Sequence, residues 1–366
     1  MSEQGREQQT DLLVERDGAA CNVILNRPGA LNALTIDMKS MLADALPKLV
    51  RDAEIYAMII KSNAARAFCV GGDVKELLDL ATADMTTAQS ALADEYRLNW
   101  LLECFFKPAV ALINGPVMGS GVGLCQYGTH LVAGEKYRFA MPETAIGFFP
   151  DVGMAQRLSR LPNAVGVYLA LTGRTIGRAD AYALELVTHC ISSDHFYEIE
   201  KELADAQPID PVLDSRHNDP GEGELQAFRP IIEAVFSQTS LADILRELEV
   251  WSARGSDKEQ AWCRELQHDL AKNSPLAIHV TFQHLQQSAK RDLRETLMMD
   301  YHLACRFLES NDFSEGVRAM LIDKTRDPKW LHEGIEQVTE SDVKELFKKS
   351  DEKVFQLPTK EQVEFR

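Results

Sequence analysis

The feature that most limits how this chain can fold is a change of rhythm partway along it. Up to about residue 195, short β-type runs alternate with helical stretches; past residue 224 the β-type runs nearly vanish. Alternation of this kind predicts an α/β architecture. "CNVILN" (21–26) reads as a strand stopped by "RPG", and "TIDMKSMLADALPKLVRD" (35–52) has apolar residues at 38, 41, 42, 45, 46 and 49. That spacing is helical, with Thr35 as N-cap. "AMIIKS" (57–62), "AVALING" (109–115), "HLVAGE" (130–135), "YRFAMPE" and "LVTHCI" (186–191) supply further strands. "VKELLDLA", the stretch around "ADEYRLNWLLECFF", "GMAQRLSRLPNAVGVYLALTG" and "GRADAYALE" are the helices between them.

Residues 205–224, "DAQPIDPVLDSRHNDPGEGE", are rich in Asp, Pro and Gly and read as an exposed linker or surface loop. Four helical candidates follow, one of them with Ser274 as N-cap and Pro275 at the first helical position. The expected organisation is an α/β core over 10–204 and a helical C-terminal region over 205–366.

A net charge of −17 argues against a sequence-independent nucleic-acid binder, which needs a basic face for phosphates. It leaves room for an anionic small ligand held by a few local cations. The seven cysteines are odd in number and widely spread, with no C-x-x-C pair, so neither a zinc site nor a disulfide framework is expected. His279 and His284 are five apart, off the spacing that metal ligation on a helix prefers. The start reads as neither a signal nor a transit peptide, and no apolar stretch approaches the roughly 20 residues that span a bilayer. A cytoplasmic protein with no membrane partner and no metal is the expectation.

Two glycine-rich turns invite chemistry. In "GPVMGSGVG" (115–123) the glycines fall at 115, 119, 121 and 123, which is not the G-x-G-x-x-G of a dinucleotide fold. A nucleophile elbow fails as well, because Met118 and Val122 flank Ser120 where G-x-S-x-G needs glycines. Backbone N–H groups at this turn and at "VGGD" (70–73) could bracket a carbonyl oxygen, an oxyanion hole. Close helix–strand packing explains the same glycines, and spacing does not choose between the two. Glu143 and Asp151 lie in the apolar run "MPETAIGFFPDVG" (141–153). Each is either a structural acid, in a turn or near a helix cap, or a working group kept in apolar surroundings.

"FCVGGDVKEL", "INGPVMGSGVGL" and "FAMPETAIGFFPDVG", in that order, resemble the enoyl-CoA hydratase/isomerase (crotonase) superfamily, most of all its 3-hydroxyisobutyryl-CoA hydrolase branch. "LALTGRTIGRADAYALELVTHCI" and "NDFSEGVRAMLIDKTRDPKW" (311–330) extend the resemblance over most of the chain. It implies a crotonase-like spiral of β-β-α turns that binds an acyl-CoA, followed by a helical C-terminal region. It also implies that the backbone amides of Gly72 and Ser120 hold the thioester oxygen, although the family usually has glycine where Ser120 stands.

The hydratases carry a catalytic glutamate where this chain has Gly123, so one of their two carboxylates is absent. Glu143 matches the other. The hydrolase branch combines it with the acids that fall on Asp151 and Glu95. The implied reaction is hydrolysis of 3-hydroxyisobutyryl-CoA or a related short 3-hydroxyacyl-CoA, a step of valine breakdown. Glu143 acts as nucleophile or general base, Asp151 orients the 3-hydroxyl or protonates the leaving thiolate, and Glu95 helps bind the hydroxyl. Arg27 and Lys324 are the candidates for the CoA phosphates. No cofactor is implied, since coenzyme A is part of the substrate. A hydratase or isomerase of the same fold and a non-catalytic assembly component are the alternatives. Relatives often form trimers or hexamers, so a homo-oligomer is one expected arrangement; the helical tail closing the site within one chain is the other.

Overall fold

The structure, a computed structural model, describes residues 10–348 and 355–363. Its strands are β1 (Leu12–Asp17), β2 (Ala20–Leu25), β3 (Ala57–Ser62), β4 (Ala109–Ile113), β5 (Pro116–Met118), β6 (His130–Ala133), β7 (Arg138–Ala140), β8 (Ile176–Gly177) and β9 (His189–Cys190). β1 and β2 form an antiparallel hairpin that pairs Leu12 with Leu25. From β2 onward the main sheet is parallel, in the order β1-β2-β3-β4-β6-β9. A smaller sheet, β5-β7-β8, runs beside it.

The helices of the core are α1 (Ile36–Arg51), α2 (Val74–Ala83), α3 (Met85–Glu103), α4 (Ser120–Cys125), α5 (Met154–Ser159), α6 (Val165–Thr172), α7 (Arg178–Ala183) and α8 (Phe196–Ala204). Successive strands therefore alternate between the two sheets before each helix: β4, β5, α4, then β6, β7, α5. This is the β-β-α spiral expected from the resemblance. Beyond it come α9 (Ile209–Asp214), α10 (Arg229–Phe236), α11 (Leu241–Arg254), α12 (Asp257–Lys272), α13 (Pro275–Ser288), α14 (Leu293–Leu308), α15 (Asn311–Val317) and α16 (Glu340–Phe347).

Side chains of the main sheet sort by the two-residue period of a strand. Met58 and Ile60 enter the main core while Ala57 and Ile59 enter a second one; in β4, Val110 and Leu112 part from Ala109, Ala111 and Ile113 in the same way. Both faces being covered, these strands read as continuous apolar runs. The caps follow the sequence: Thr35 accepts from the Met38 amide, and Ser274 from the Ala277 amide.

Several segments differ from the sequence reading, among them β5, whose residues read as part of a glycine-rich loop. The stretch 205–224 is not all exposed: α9 buries Ile209, Val212 and Leu213 in the second core. Pro211 sits in its first turn, where a missing N–H costs no helical hydrogen bond. The strand expected over 186–191 is limited to His189–Cys190. β1 went unread because its side chains, mostly facing solvent along a sheet edge, show little apolar alternation. Among the described residues no helix is long and apolar enough to cross a membrane.

Candidate active site

Two turns meet at the top of the spiral. Gly71, with φ at +111°, bends the chain after Val70, and a bridge joins Gly72 to Leu34. Leu34 N–H donates to the Gly71 carbonyl and Asp73 N–H to the Leu34 carbonyl, so the turn is tied to the entry of α1. The second turn is Gly119, with φ at +49°, which launches α4 at Ser120. A Cβ on Gly72 would lie 3.0 Å from Ser120 Oγ, and one on Gly71 3.9 Å from the Ser120 nitrogen. Among the described residues, neither the Gly72 nor the Ser120 N–H donates to a protein acceptor. Two adjacent, unused amides, one at a helix start, are the donor pair an oxyanion needs.

The carboxylates converge on the same cavity of about 610 Å³, which Gly72, Glu95, Ser120, Glu143 and Asp151 all line. Glu143 opens a 3-10 turn after Pro142 and is only 7% exposed. Its Oε2 is buried without a hydrogen-bond partner. Burial pushes its carboxyl up from the usual 4.5 to about 8. Asp151 is 6% exposed and accepts a hydrogen bond from Tyr96 O–H at 2.8 Å. Its carboxyl is held well above the usual range, first by burial and then by the neighbouring charges of Glu95, Glu143 and Asp300. Glu95 is ion-paired to Lys39 at 2.7 Å. Glu95 and Tyr96 project from the buried face of α3, as do Leu92, which lines the cavity, and Asn99.

Asp151 rides on a strained turn. Val152 has φ at +48°, a left-handed conformation that a β-branched residue rarely adopts, and Gly153 follows at +76°. Three contacts hold it: Gln126 Nε2 and Tyr127 O–H donate to the Val152 carbonyl, and Gly153 N–H donates to Asp300 Oδ2 at 2.7 Å. Asp300 is fully buried and also contacts His284 Nε2 at 2.6 Å. The Glu143 turn is held from the C-terminal side too, since Ser274 N–H donates to the Thr144 carbonyl and Asn273 Nδ2 to Thr144 Oγ1.

Gly123 is closed. A Cβ there would lie 2.9 Å from Val152 Cβ and 3.0 Å from Asn99 Nδ2. The position that would hold a second hydratase carboxylate has no room for a side chain.

Five of the seven residues singled out in the sequence thus share one cavity. Arg27 and Lys324 do not line it. Arg27 stands behind the first turn, bonded to Asp73 Oδ2 at 2.9 Å and to the Ala33 carbonyl at 3.0 Å. Lys324 is exposed, while Arg326, two residues on, lines the cavity together with Lys75. The sequence reading passes over Lys39, Tyr96 and Asp300, and weighs His284 only as a metal ligand. Lys39 looks like one more polar position on an amphipathic helix, and Asp300 and His284 come together because α14 and α13 both pack against α5.

A family model described as enoyl-CoA hydratase/isomerase matches residues 20–347. The mitochondrial 3-hydroxyisobutyryl-CoA hydrolase of Danio rerio is 37% identical over 358 residues, covering 95% of this chain and 92% of that protein. The Homo sapiens protein of the same name is 35% identical, over 92% and 88% of the two chains. A solved carnitinyl-CoA dehydratase from Mycobacterium thermoresistibile superposes with a TM-score of 0.87 at 33% identity, over 94% of this chain and 98% of that one. An enoyl-CoA hydratase from Rhodobacter sphaeroides 2.4.1 gives 0.84 at 34%, over 92% and 97%. With a spiral core of the same topology and matches that run nearly its full length, this chain belongs to the enoyl-CoA hydratase/isomerase family.

Proposed function

We propose that the protein hydrolyses the thioester of 3-hydroxyisobutyryl-CoA, or of a closely related short 3-hydroxyacyl-CoA, to the free acid and CoA, as a step of valine breakdown. One observation carries the choice of hydrolysis over hydration: Glu143, buried and with Oε2 lacking a hydrogen-bond partner, shares a cavity with the two free amides while the second hydratase position, Gly123, is sterically closed. Relatives named as 3-hydroxyisobutyryl-CoA hydrolases, 35–37% identical over most of the chain, support the same reading.

The thioester oxygen sits between the Gly72 and Ser120 amides, each such donor being worth about 3 kcal/mol as charge develops. Glu143 then works in one of two ways. As general base it takes a proton from water, and the hydroxide adds to the carbonyl carbon. As nucleophile it adds directly, and water later opens the resulting mixed anhydride. In both, collapse of the tetrahedral intermediate breaks the C–S bond, and the thiolate takes the proton that Asp151 holds. One water is consumed; Asp151 is reprotonated from solvent, and in the general-base route Glu143 releases to solvent the proton it took, so both acids return to their starting states. In this reading Lys75 and Arg326, exposed cations that line the cavity, take the CoA phosphates.

Thiol release from 3-hydroxyisobutyryl-CoA, followed with a thiol reagent, tests this reading. Substrate loss without free thiol would assign the site to hydration instead, as the dehydratase and hydratase names of the two solved structures would favour. Unchanged turnover in Glu143→Gln would remove Glu143 from the chemistry, and no turnover of any acyl-CoA by the wild type would point to an assembly component. After a single turnover in ¹⁸O-water, label in Glu143 identifies the nucleophilic route, in which water opens the anhydride at the Glu143 carbonyl.

A further inference from the structure

Lys39 stands where helix physics gives no reason for a lysine. It lies in the first turn of α1, where the dipole disfavours a cation, and its side chain is only 14% exposed. Nζ donates to Glu95 Oε2 at 2.7 Å, and the same Nζ lies 3.9 Å from the place a Cβ would take on Gly72. The ammonium therefore bridges Glu95 and the oxyanion turn, and both members of the pair line the cavity. Burying such a pair costs desolvation that mutual attraction seldom recovers, so two apolar side chains would serve stability as well.

A hydroxyl group needs an acceptor for its proton and a donor for its lone pairs. A carboxylate offers only acceptors and an ammonium only donors; side by side they offer both at one point. The position along the acyl chain is right as well. With the thioester oxygen held at the Gly72 amide, a 3-hydroxyl oxygen is three bonds from the carbonyl carbon, next to the oxyanion turn. We propose that Lys39 is a specificity-determining residue: with Glu95 it reads the hydroxyl of the acyl group, which donates to the carboxylate and accepts from the ammonium. This rests on the cavity being a CoA-thioester hydrolase site. An acyl chain without the hydroxyl leaves the facing lone pair and N–H desolvated and unmatched.

The test compares kcat/KM for thiol release from 3-hydroxyisobutyryl-CoA and isobutyryl-CoA in the wild type, Lys39→Met and Lys39→Gln. The wild type is expected to prefer the hydroxylated substrate by at least about 100-fold. Methionine at 39 lowers that ratio at least about tenfold, and glutamine, which keeps a donor without the charge, lowers it less. An equal loss on both substrates, or an unaltered ratio, overturns the proposal, as does a wild type that turns over both alike. If the methionine variant does not fold by circular dichroism, the ratio in the glutamine variant decides on the same criterion. A wild type that releases thiol from neither substrate refutes the hydrolase reading instead.

Discussion

The Glu143 carboxylate comes up against Gly119 so closely that a Cβ on the glycine would lie 2.9 Å from Oε1. The backbone at Gly119, φ +49° and ψ −129°, is one that side chains rarely adopt. One residue thus sets both the Ser120 amide and the space for the acid facing it. Gly119→Ala is expected to lower kcat/KM for thiol release by about 100-fold, because a 1 Å misplacement has that order of cost. Stability should fall by about 1–3 kcal/mol, read from denaturant midpoints.

Glu143→Gln separates function from stability. With its carboxyl raised from 4.5 to about 8, folded Glu143 keeps a proton that the unfolded chain has already released between those pH values. Wild-type stability contributed by this group therefore falls as pH rises through that window; below it the acid is protonated in both states. Glutamine never ionises. The variant's Tm is expected to match the wild type near pH 4.5 and to exceed it by several degrees at pH 8. Turnover should drop by about 10² to 10⁴. Calorimetry across that pH range, beside a thiol-release assay, checks both.

Asp300 holds the Asp151 turn at the Gly153 amide and also adds to the charge that raises the Asp151 carboxyl. Asp300→Asn keeps an acceptor for the amide and removes the charge. The Asp151 pKa should then fall, and the alkaline limb of kcat/KM, where the proton for the leaving thiolate is lost, should move to lower pH. Asp300→Ala leaves the amide unpaired and His284 without its partner, which should cost about 3 kcal/mol. A pH–rate profile separates the charge effect from the loss of fold.

What the sequence shows of this fold is what local physics decides. The 57–62 strand and the Thr35 and Ser274 caps are set by near neighbours, and the structure has them where the spacing puts them. The resemblance brings together Gly72, Ser120, Glu95, Glu143 and Asp151 because they fall in or between three contiguous motifs. Lys39 and the Asp300–His284 contact escape because each is defined by a partner on another helix, 56 and 16 residues away. No periodicity carries that information. α9 escapes for a different reason: its two prolines and three acids within 205–214 mimic a loop, yet three buried side chains suffice to dock it.

Gly123 offers a test in which the two readings of one position differ in sign. It lies inside α4, where replacing glycine by alanine in open surroundings stabilises a helix by up to about 1 kcal/mol. Here the added Cβ meets Val152 Cβ at 2.9 Å and Asn99 Nδ2 at 3.0 Å. Val152 has no freedom to retreat, because its carbonyl is held by Gln126 and Tyr127 and its backbone is already strained. Gly123→Ala is therefore expected to destabilise by about 1–3 kcal/mol, the usual cost of overpacking, and to lower turnover by displacing Asp151. Gly123→Glu, which restores the hydratase pattern by type, should gain no hydration of crotonyl-CoA, because the carboxylate cannot enter without moving the turn that carries Asp151. A raised Tm in the alanine variant, or hydration by the glutamate variant, would show that the site has room for the second acid.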